Sequence, residues 1–360
     1  MASTKNPENF DEATPVRSTS ELARRLGLSR WTVSRILNGH DGVHPETAER
    51  VRAAMREHSF SPSPLAQGLR RGRTNIIGVC VPEIEDYHLG PKLESLRLAI
   101  SRKGLHPMIG MTGGEPATEA ETLDHFRHLR VAGVVTFASR LPAKSAAIRH
   151  LKDSGIPLLR VDPMDASQRG GIGLDRAFGM KEATRHLLAL GHRRLATIGI
   201  DSEGAYTAAR FEAIRQVQQE SSLQQRSQPD LLRIPLPPCA SYYQAGRDAA
   251  RSLLAIPDSA RPTGLLVLND RAAIGLIEGL RTAGRRVPED FSVVGYDNME
   301  AGAFFTPKLT TIDLRPEELI EKVSAHLLPM LDGEGELPPG GSRIRTRLIV
   351  RESTASATRT

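Results

Sequence analysis

The 360-residue sequence has few cysteines, few aromatic residues and no long apolar run. Its two cysteines, Cys80 and Cys239, belong to no Cys-x-x-Cys or metal-ligand spacing, so we expect no disulfide framework. Only 4% of the residues are aromatic, so the core must be mostly aliphatic. No run approaches about 18 apolar residues, and the N-terminus lacks a signal-peptide core, so we expect a cytoplasmic protein without a membrane partner.

Motifs of common enzyme classes are also missing. The stretch "GGIG" from Gly170 does not complete G-x-G-x-x-G, and neither a phosphate-binding G-x-x-x-x-G-K-[ST] nor a G-x-S-x-G occurs. His186 and His192 are spaced as at a helix end rather than as metal ligands. We therefore expect no enzyme activity, no cofactor and no metal site.

Positive charge is concentrated near the N-terminus. Residues 17–73 contain eleven arginines, no lysine and five acidic residues, in a chain whose net charge is +6. The rest of the chain is therefore nearly neutral. A basic module on a neutral remainder is typical of a nucleic-acid-binding domain, the alternative being an ordinary solvated basic surface.

The pattern of residues 18–61 predicts three short helices. Ser18 opens an S-x-x-E capping box, Gly27 ends that helix, and Ser29 is a suitable N-cap for the next one. Pro45 stands at the first position of a third helix. Two helices joined through "GLS" predict a helix-turn-helix.

The single tryptophan lies on the polar side of the second predicted helix. Val33, Ile36 and Leu37 form its apolar stripe. At about 100° per residue, Trp31 falls about 160° from Val33 and lies beside Arg35. Such a position suits contact with a partner, whereas the alternative is that the indole folds down over the domain's own apolar surface.

Beyond residue 75 the sequence alternates between strand and helix patterns. Apolar runs such as "IIGVCVP", "AGVVTF", "LATIGI" and "TGLLVL" are separated by helix-compatible segments, among them Lys92–Lys103 and Tyr242–Leu254. This alternation predicts parallel sheets covered on both faces, in two similar lobes. A cleft at the carboxyl ends of the strands is the expected ligand site.

Two further segments flank the N-terminal domain. Residues 1–17 are polar, and we expect a disordered leader. Residues 62–74 contain prolines, arginines and a short helix-compatible piece, which predicts a linker before a large domain of residues 75–360.

At this point the sequence resembles the lactose-repressor/galactose-repressor family of bacterial transcription regulators. The similar segments include "ELARRLGLSRWTVSRILNG", "VHPETAERVRAAM", "ALGHRRLATIG", "VPEDFSVVGYDN" and "TPKLTTID". They follow one another in order over about residues 18–355. The resemblance implies an all-α helix-turn-helix domain joined to a two-lobed α/β domain of the periplasmic-binding-protein-like (type I) fold. It also implies a nucleoid-associated homodimer bound to a palindromic DNA operator.

The resemblance assigns DNA contacts to the second helix and to the linker. Arg35 matches the family's arginine, whose fork can bond O6 and N7 of a guanine. Arg30 is a second candidate, although it could equally face phosphate or solvent, and Asn38 could simply end the helix. The predicted DNA-binding residues are Ser29, Arg30, Trp31, Thr32, Ser34, Arg35, Asn38 and Leu69.

In the linker, Leu69 matches a leucine that relatives insert between the central base pairs of the operator. The family's A-R-x-L is here "AQGL", and Gly68 costs about 0.5–1 kcal/mol of helix stability relative to alanine. We therefore expect a hinge helix that forms only on DNA.

The resemblance also assigns the effector site. Arg210 and Asp297 match the arginine and the aspartate that relatives use inside the cleft, while Asn269, Asp270 and Asp162 follow predicted strands and could instead cap helices. Departures from the family include Arg176, where an asparagine is usual, and a segment with Tyr87 and His88 where aromatic residues are common. The predicted effector-binding residues are Tyr87, His88, Asp162, Arg210, Asn269 and Asp297.

These observations together predict a sequence-specific DNA-binding repressor whose operator affinity is controlled by a small effector, a sugar or a sugar derivative. The alternative is a cytoplasmic small-molecule sensor with little specific DNA binding, since the large domain alone would look the same.

Overall fold

The computed structural model describes residues 16–37, 42–61, 72–82, 89–164, 171–204, 207–225, 230–238, 241–335 and 341–357. The chain forms two compact units, Met1–Asn75 (the head) and Ile76–Thr360 (the body). No helix of the described ranges is long and apolar enough to cross a membrane. Nor do these ranges contain a cluster of His, Cys, Asp or Glu that could hold a metal ion.

The head contains three helices, α1 (Thr19–Arg25), α2 (Arg30–Leu37) and α3 (Pro45–Glu57), as predicted. The Ser18 hydroxyl caps α1 by accepting a hydrogen bond from the Glu21 N–H at 3.1 Å. In a standard capping box the Glu21 carboxylate would accept a hydrogen bond from the Ser18 N–H. Here it accepts one from the Arg17 N–H, one residue earlier. Gly27 follows α1 with a φ of 63°, a left-handed turn that suits glycine.

A small aliphatic core holds the three helices together. Leu22 of α1, Val33 of α2 and Val51 of α3 are fully buried against one another. Phe60, after α3, covers the same core. Each helix thus buries one stripe and leaves its charged side chains exposed.

The body is built on two parallel sheets. The first has the strand order β11-β5-β4-β3-β1-β2 and the second the order β7-β6-β8-β9. Their strands are β1 (Ile76–Val81), β2 (His106–Met111), β3 (Gly133–Phe137), β4 (Leu158–Val161), β5 (Ile172–Asp175), β6 (Arg194–Ile198), β7 (Asp230–Ile234), β8 (Gly264–Val267), β9 (Ser292–Val294) and β11 (Ser342–Arg345). A small antiparallel pair consists of β10 (Thr311–Asp313) and β12 (Arg347–Ile349).

Nine helices of the described body cover these sheets: α4 (Leu89–Ser101), α5 (Pro116–His128), α6 (Ala146–Asp153), α7 (Arg176–Ala189), α8 (Ala208–Gln225), α9 (Tyr242–Leu254), α10 (Asp270–Thr282), α11 (Glu300–Phe304) and α12 (Pro316–Asp332). Aliphatic side chains fill the layers on both faces of the first sheet, and Cys80 is buried with Phe126 of α5 on one of them. Burial raises the pKa of the Cys80 thiol well above its usual value, so this cysteine behaves as a small hydrophobe.

Most predicted elements are present, with ends shifted by a few residues. The helix expected at residues 92–103 begins earlier, at Leu89, and ends at Ser101. Helices α11 and α12 and the short strands β5, β7, β10, β11 and β12 were not predicted. These strands lie outside the apolar runs that predicted the other strands. Helix α12 did carry a signal, because buried Leu319, Val323 and Leu327 recur at helical spacing.

His186 and His192 have structural roles in the body. The His192 ring hydrogen-bonds the hydroxyls of Thr263 and Ser292, each at 2.9 Å. His186 lies 2.9 Å from the hydroxyl of Thr354. The two rings therefore fix the segment after β12 against the second sheet.

Helices α9 and α10 approach each other through glycines. A Cβ atom on Gly275 of α10 would lie 2.0 Å from the Tyr243 carbonyl oxygen, and one on Gly246 of α9 would lie 2.0 Å from the Ala272 carbonyl oxygen. Both contacts are with backbone atoms, which cannot move away as the end of a flexible side chain can. The close packing of this pair therefore requires glycine at both positions.

We predict that Gly275→Ala destabilises the body by about 1–3 kcal/mol, because the added methyl group forces the two backbones apart. Urea unfolding followed by tyrosine fluorescence measures this, since all five tyrosines lie beyond residue 76. Gly90→Ala in α4 is the matched control, because a Cβ there meets nothing within 4 Å. Equal stability of the two variants would contradict the proposed packing.

Candidate functional site

Helix α2 of the head presents polar side chains at its N-terminal end. The Ser29 hydroxyl caps the helix, accepting a hydrogen bond from the Thr32 N–H at 3.0 Å, and lies 2.8 Å from the Thr32 hydroxyl. Arg30 is exposed and Ser34 is half-buried, whereas Val33 faces the core. The first turns of α2 therefore offer hydroxyl and guanidinium groups to solvent.

Trp31 lies on this open face with 66% of its surface exposed. The Arg35 guanidinium carbon is 4.9 Å from the centre of the indole ring, within cation–π range. A Cβ on Gly42 would lie 3.3 Å from Arg35 Nη2. Arg35 thus lies close to both the indole and Gly42, which precedes α3. The exposure of Trp31 does not fit the alternative in which it covers the head's own apolar surface.

Four residues predicted to bind DNA or effector lie outside the described ranges, namely Asn38, Leu69, Tyr87 and His88. The predicted hinge helix lies there too. Their roles stay predictions.

In the body, Asp162 and Arg176 form a two-pronged ion pair. Asp162 follows β4 and Arg176 begins α7, and Arg176 Nη1 lies 2.5 Å from Asp162 Oδ1 while Nη2 bonds Oδ2. Burial raises the pKa of Asp162, but the Arg176 charge and hydrogen bonds outweigh it and leave the pKa lowered. Asp162 is therefore a fixed anion rather than a helix cap, and Arg176 is a partner that the sequence analysis noted only as a departure.

Arg210 of α8 is buried against the ring of Tyr296. Its guanidinium carbon lies 3.5 Å from the ring centre, and its Nη1 donates to the Leu268 carbonyl oxygen at 2.8 Å. Burial lowers the pKa of Arg210, and Tyr296, Arg176, Asp297 and Asp162 are all near enough to shift it. We call Asp162, Arg176, Arg210, Tyr296 and Asp297 the charged cluster. Asp162, Arg210 and Asp297 were predicted to bind the effector, whereas Arg176 and Tyr296 were not.

Within the charged cluster, the Tyr296 hydroxyl and Arg210 Nε are buried without a hydrogen-bond partner among the described residues. Unsatisfied buried donors are uncommon, since each costs about 1–3 kcal/mol. Both atoms can hydrogen-bond a polar ligand or water.

The backbone at Asp297 is unusual. Asp297 has a φ of 113° and Asn298 a φ of 55°, a conformation that costs on the order of 1–3 kcal/mol and must be held by its surroundings. The Asn298 N–H donates to the Thr311 hydroxyl at 3.2 Å, and Arg351 donates to the Asn298 side-chain oxygen at 2.7 Å.

Asn269 and Asp270 act behind this loop. Asn269 Oδ1 caps α10 by accepting a hydrogen bond from the Ala272 N–H at 2.8 Å. Asn269 therefore has the helix-capping role that was the alternative to effector binding. Asp270 is fully buried and accepts hydrogen bonds from the Met299 N–H at 2.7 Å and the Thr311 hydroxyl at 2.6 Å. Burial, followed by the nearby Asp297 charge, raises the pKa of Asp270 to about 8.

Both parts of the chain match known families. Residues 19–63 match "Bacterial regulatory proteins, lacI family", and residues 184–354 match a "Periplasmic binding protein-like domain". The transcriptional regulator reg1 of Streptomyces lividans is 30% identical over 346 residues, which cover 94% of this chain and 96% of that protein. The regulator NtdR of Bacillus subtilis is 26% identical, over 93% of this chain and 98% of its own.

Solved structures show the same fold. A crystal structure of the lac repressor dimer bound to operator and an anti-inducer has a TM-score of 0.79 at 24% identity, and covers 95% of this chain and 100% of its own. A LacI-family regulator from Enterococcus faecium with bound ribose has a TM-score of 0.66 at 26% identity, covering 79% of this chain and 100% of its own.

The chain belongs to the lacI family of bacterial regulatory proteins. The predicted fold, a helix-turn-helix head with a periplasmic-binding-protein-like body of parallel sheets, is confirmed. The chain is a DNA-binding transcriptional regulator with an effector-binding domain, and its relatives are regulators, not enzymes.

We predict that Asp270→Asn removes a pH dependence of body stability. Because the pKa of about 8 in the folded state lies above the ordinary value of 3.8, the folded protein binds the extra proton. Its stability therefore falls as pH rises from about 4 to about 8, by on the order of 1 kcal/mol per pH unit at most. Asparagine cannot titrate, so this slope should disappear.

Urea unfolding at several pH values, followed by tyrosine fluorescence, gives the difference between the wild type and the variant. Asp153→Asn is the control, since Asp153 is exposed at the end of α6. A wild-type slope that Asp270→Asn leaves unchanged would show that this carboxyl group does not titrate as described.

Proposed function

We propose that this regulator represses transcription by binding a palindromic operator as a homodimer, and that a sugar or sugar derivative bound in the body controls its operator affinity. Residues 18–61 would contact DNA, residues 62–74 would form the hinge, and residues 75–360 would bind the effector and dimerise. The single observation that carries the proposal is the open face of α2, where an exposed tryptophan supports an arginine.

The chemistry of α2 supports base reading. A guanidinium held against an indole keeps its N–H groups at the edge of the stack, where they can meet O6 and N7 of a guanine. The indole offers apolar contact to a thymine methyl group and one N–H donor. The hydroxyls of Ser29, Thr32 and Ser34 suit phosphate oxygens, which fix the position of the helix without reading sequence.

The charged cluster supports a polar effector. It combines guanidinium donors with carboxylate acceptors, and it has the unpartnered Tyr296 hydroxyl and Arg210 Nε. Sugar hydroxyls both donate and accept, so they complement such a set. A LacI-family relative from Enterococcus faecium binds ribose, and the regulator CelR forms a complex with cellobiose.

A homodimer in the cytoplasm, associated with the nucleoid, completes the proposal. The lac repressor, a structural relative, is a dimer on its operator. A two-fold protein reads two half-sites, which explains why a palindrome is expected.

DNA binding is tested by selecting binding sites from random duplexes and measuring affinity for a selected and an unrelated duplex at increasing salt. We expect both affinities to fall with salt, with a slope of about −0.9 per neutralised phosphate, and the selected duplex to bind at least about 10³ times more tightly. Equal affinity for both duplexes would favour the alternative, a small-molecule sensor with little specific DNA binding.

We predict that Trp31→Ala changes the preferred base at one position of each half-site, because the indole contacts a base edge. Each good base contact provides about 1–3 kcal/mol of discrimination. Repeating the selection with this variant measures the change.

Val33→Ala is the control, because Val33 is buried in the head core. It should lower the thermal stability of the head and leave the preferred sequence intact. If Trp31→Ala behaved in the same way, Trp31 would have a structural role only.

A further inference from the structure

The body has a cavity of about 700 Å³ beside the charged cluster. It lies at the carboxyl edge of the second sheet, where loops follow β6, β7 and β8. Of the predicted effector residues that the structure describes, none lines it. Leu268 connects the two regions, since its side chain lines the cavity and its carbonyl oxygen accepts the Arg210 hydrogen bond.

Two arginines on opposite elements line this cavity. Arg233 belongs to β7, and its guanidinium carbon lies 5.7 Å from the centre of the Phe211 ring. Arg271 belongs to the first turn of α10 and lies 5.0 Å from the ring of Tyr242, which also lines the cavity. Stacking orients both guanidinium groups and leaves their N–H groups available. No carboxylate of the described residues forms an ion pair with either arginine.

The cavity has one carboxylate in its lining, Asp201, and that group is used by its own loop. Asp201 Oδ1 accepts hydrogen bonds from the Gly204 N–H and the Thr207 hydroxyl, both at 2.8 Å, and from the Glu203 N–H at 3.0 Å. These bonds, together with the Arg233 charge, lower its pKa. The described lining therefore contains two cations and one anion, which gives it a net positive charge.

The rest of the lining suits the body of a small metabolite. Pro235, Pro237 and Pro238 form a stiff wall, and Ile200 and Leu268 supply apolar surface. Helices α9 and α10, each of 13 residues, begin at the cavity, so the positive ends of their dipoles add to the two arginines.

We propose that the effector of this regulator is an anionic small molecule, carrying a phosphate or carboxylate group that Arg233 and Arg271 bind in this cavity. Two guanidinium forks can bond the oxygens of such a group directly. The proposal rests on the proposed function in one respect, namely that the body binds an effector. It narrows the sugar or sugar derivative to an acidic one.

The test uses the full chain, the variant Arg233→Gln/Arg271→Gln, and calorimetric melting of the body. The first probes are sodium phosphate and sodium acetate, each compared with sodium chloride at equal ionic strength. Glucose 6-phosphate and gluconate are then compared with neutral glucose. A ligand that binds only the folded state raises Tm.

We expect phosphate or acetate to raise the wild-type Tm above its value in chloride, and the anionic sugar derivatives to exceed glucose. A rise in Tm with phosphate identifies the bound group as a phosphate, and a rise with acetate identifies it as a carboxylate. In the double variant the shift should disappear, with affinity at least tenfold lower. The control variant Arg251→Gln/Arg281→Gln removes one arginine each from α9 and α10. These two side chains are 77% and 70% exposed, and the control should respond like the wild type.

The proposal is overturned if neither anion exceeds chloride in the wild type, or if the double variant responds as the wild type does. The proposed function fails separately, if the selection yields no preferred operator either with or without these anions. The double variant should keep that operator preference, because its substitutions lie in the body.

Discussion

The charged cluster of the body depends on the ion pair between Asp162 and Arg176. An unpaired buried carboxylate is costly, and Asp162 stays charged because the Arg176 guanidinium pairs with it. The pair fixes the end of β4 to the start of α7, and it sets the electrostatic surroundings of Arg210. Arg210 is stabilised in turn by the face of Tyr296 and the carbonyl oxygen of Leu268. A polar ligand bound here must either displace these contacts or make additional hydrogen bonds to the same side chains.

A second network holds Asp297 in place. The Thr311 hydroxyl donates to Asp270 and accepts from the Asn298 N–H, so one side chain links the buried carboxyl group to the loop at positive φ. Asp270 also fixes Met299, and its elevated pKa reflects burial close to another carboxylate. The loop therefore keeps a costly backbone conformation because three elements, α10, β10 and the segment after β12, all bond to it.

Sequence patterns predicted the elements that bury a long apolar stripe, such as α9, whose bounds Tyr242–Leu254 were predicted without error. They could not predict β5 or β12, which depend on neighbours distant in the chain. For the site, resemblance pointed to Arg210 and Asp297, and Asp162 was predicted from its position after a strand. Neither signal identifies Arg176 as the partner of Asp162, because the two residues are 14 positions apart in the sequence and meet only in the folded body. Arg233 and Arg271 were missed because single arginines after a strand or in a helix look like ordinary surface charge.

Aromatic residues make up only 4% of the chain, and several of them lie against arginines. Among the described residues, five aromatic rings lie within cation–π range of an arginine: Trp31 of Arg35, Phe178 of Arg345, Tyr296 of Arg210, Phe211 of Arg233 and Tyr242 of Arg271. An exposed stack contributes only about 0.5–1 kcal/mol, so stability is a weak explanation. Its larger effect is geometric, because a guanidinium held close to an aromatic ring loses less freedom when its N–H groups bind an anion or a base. Four of these five arginines line α2, the charged cluster or the cavity. The same kind of contact therefore occurs in the helix proposed to read DNA and in the regions proposed to bind the effector.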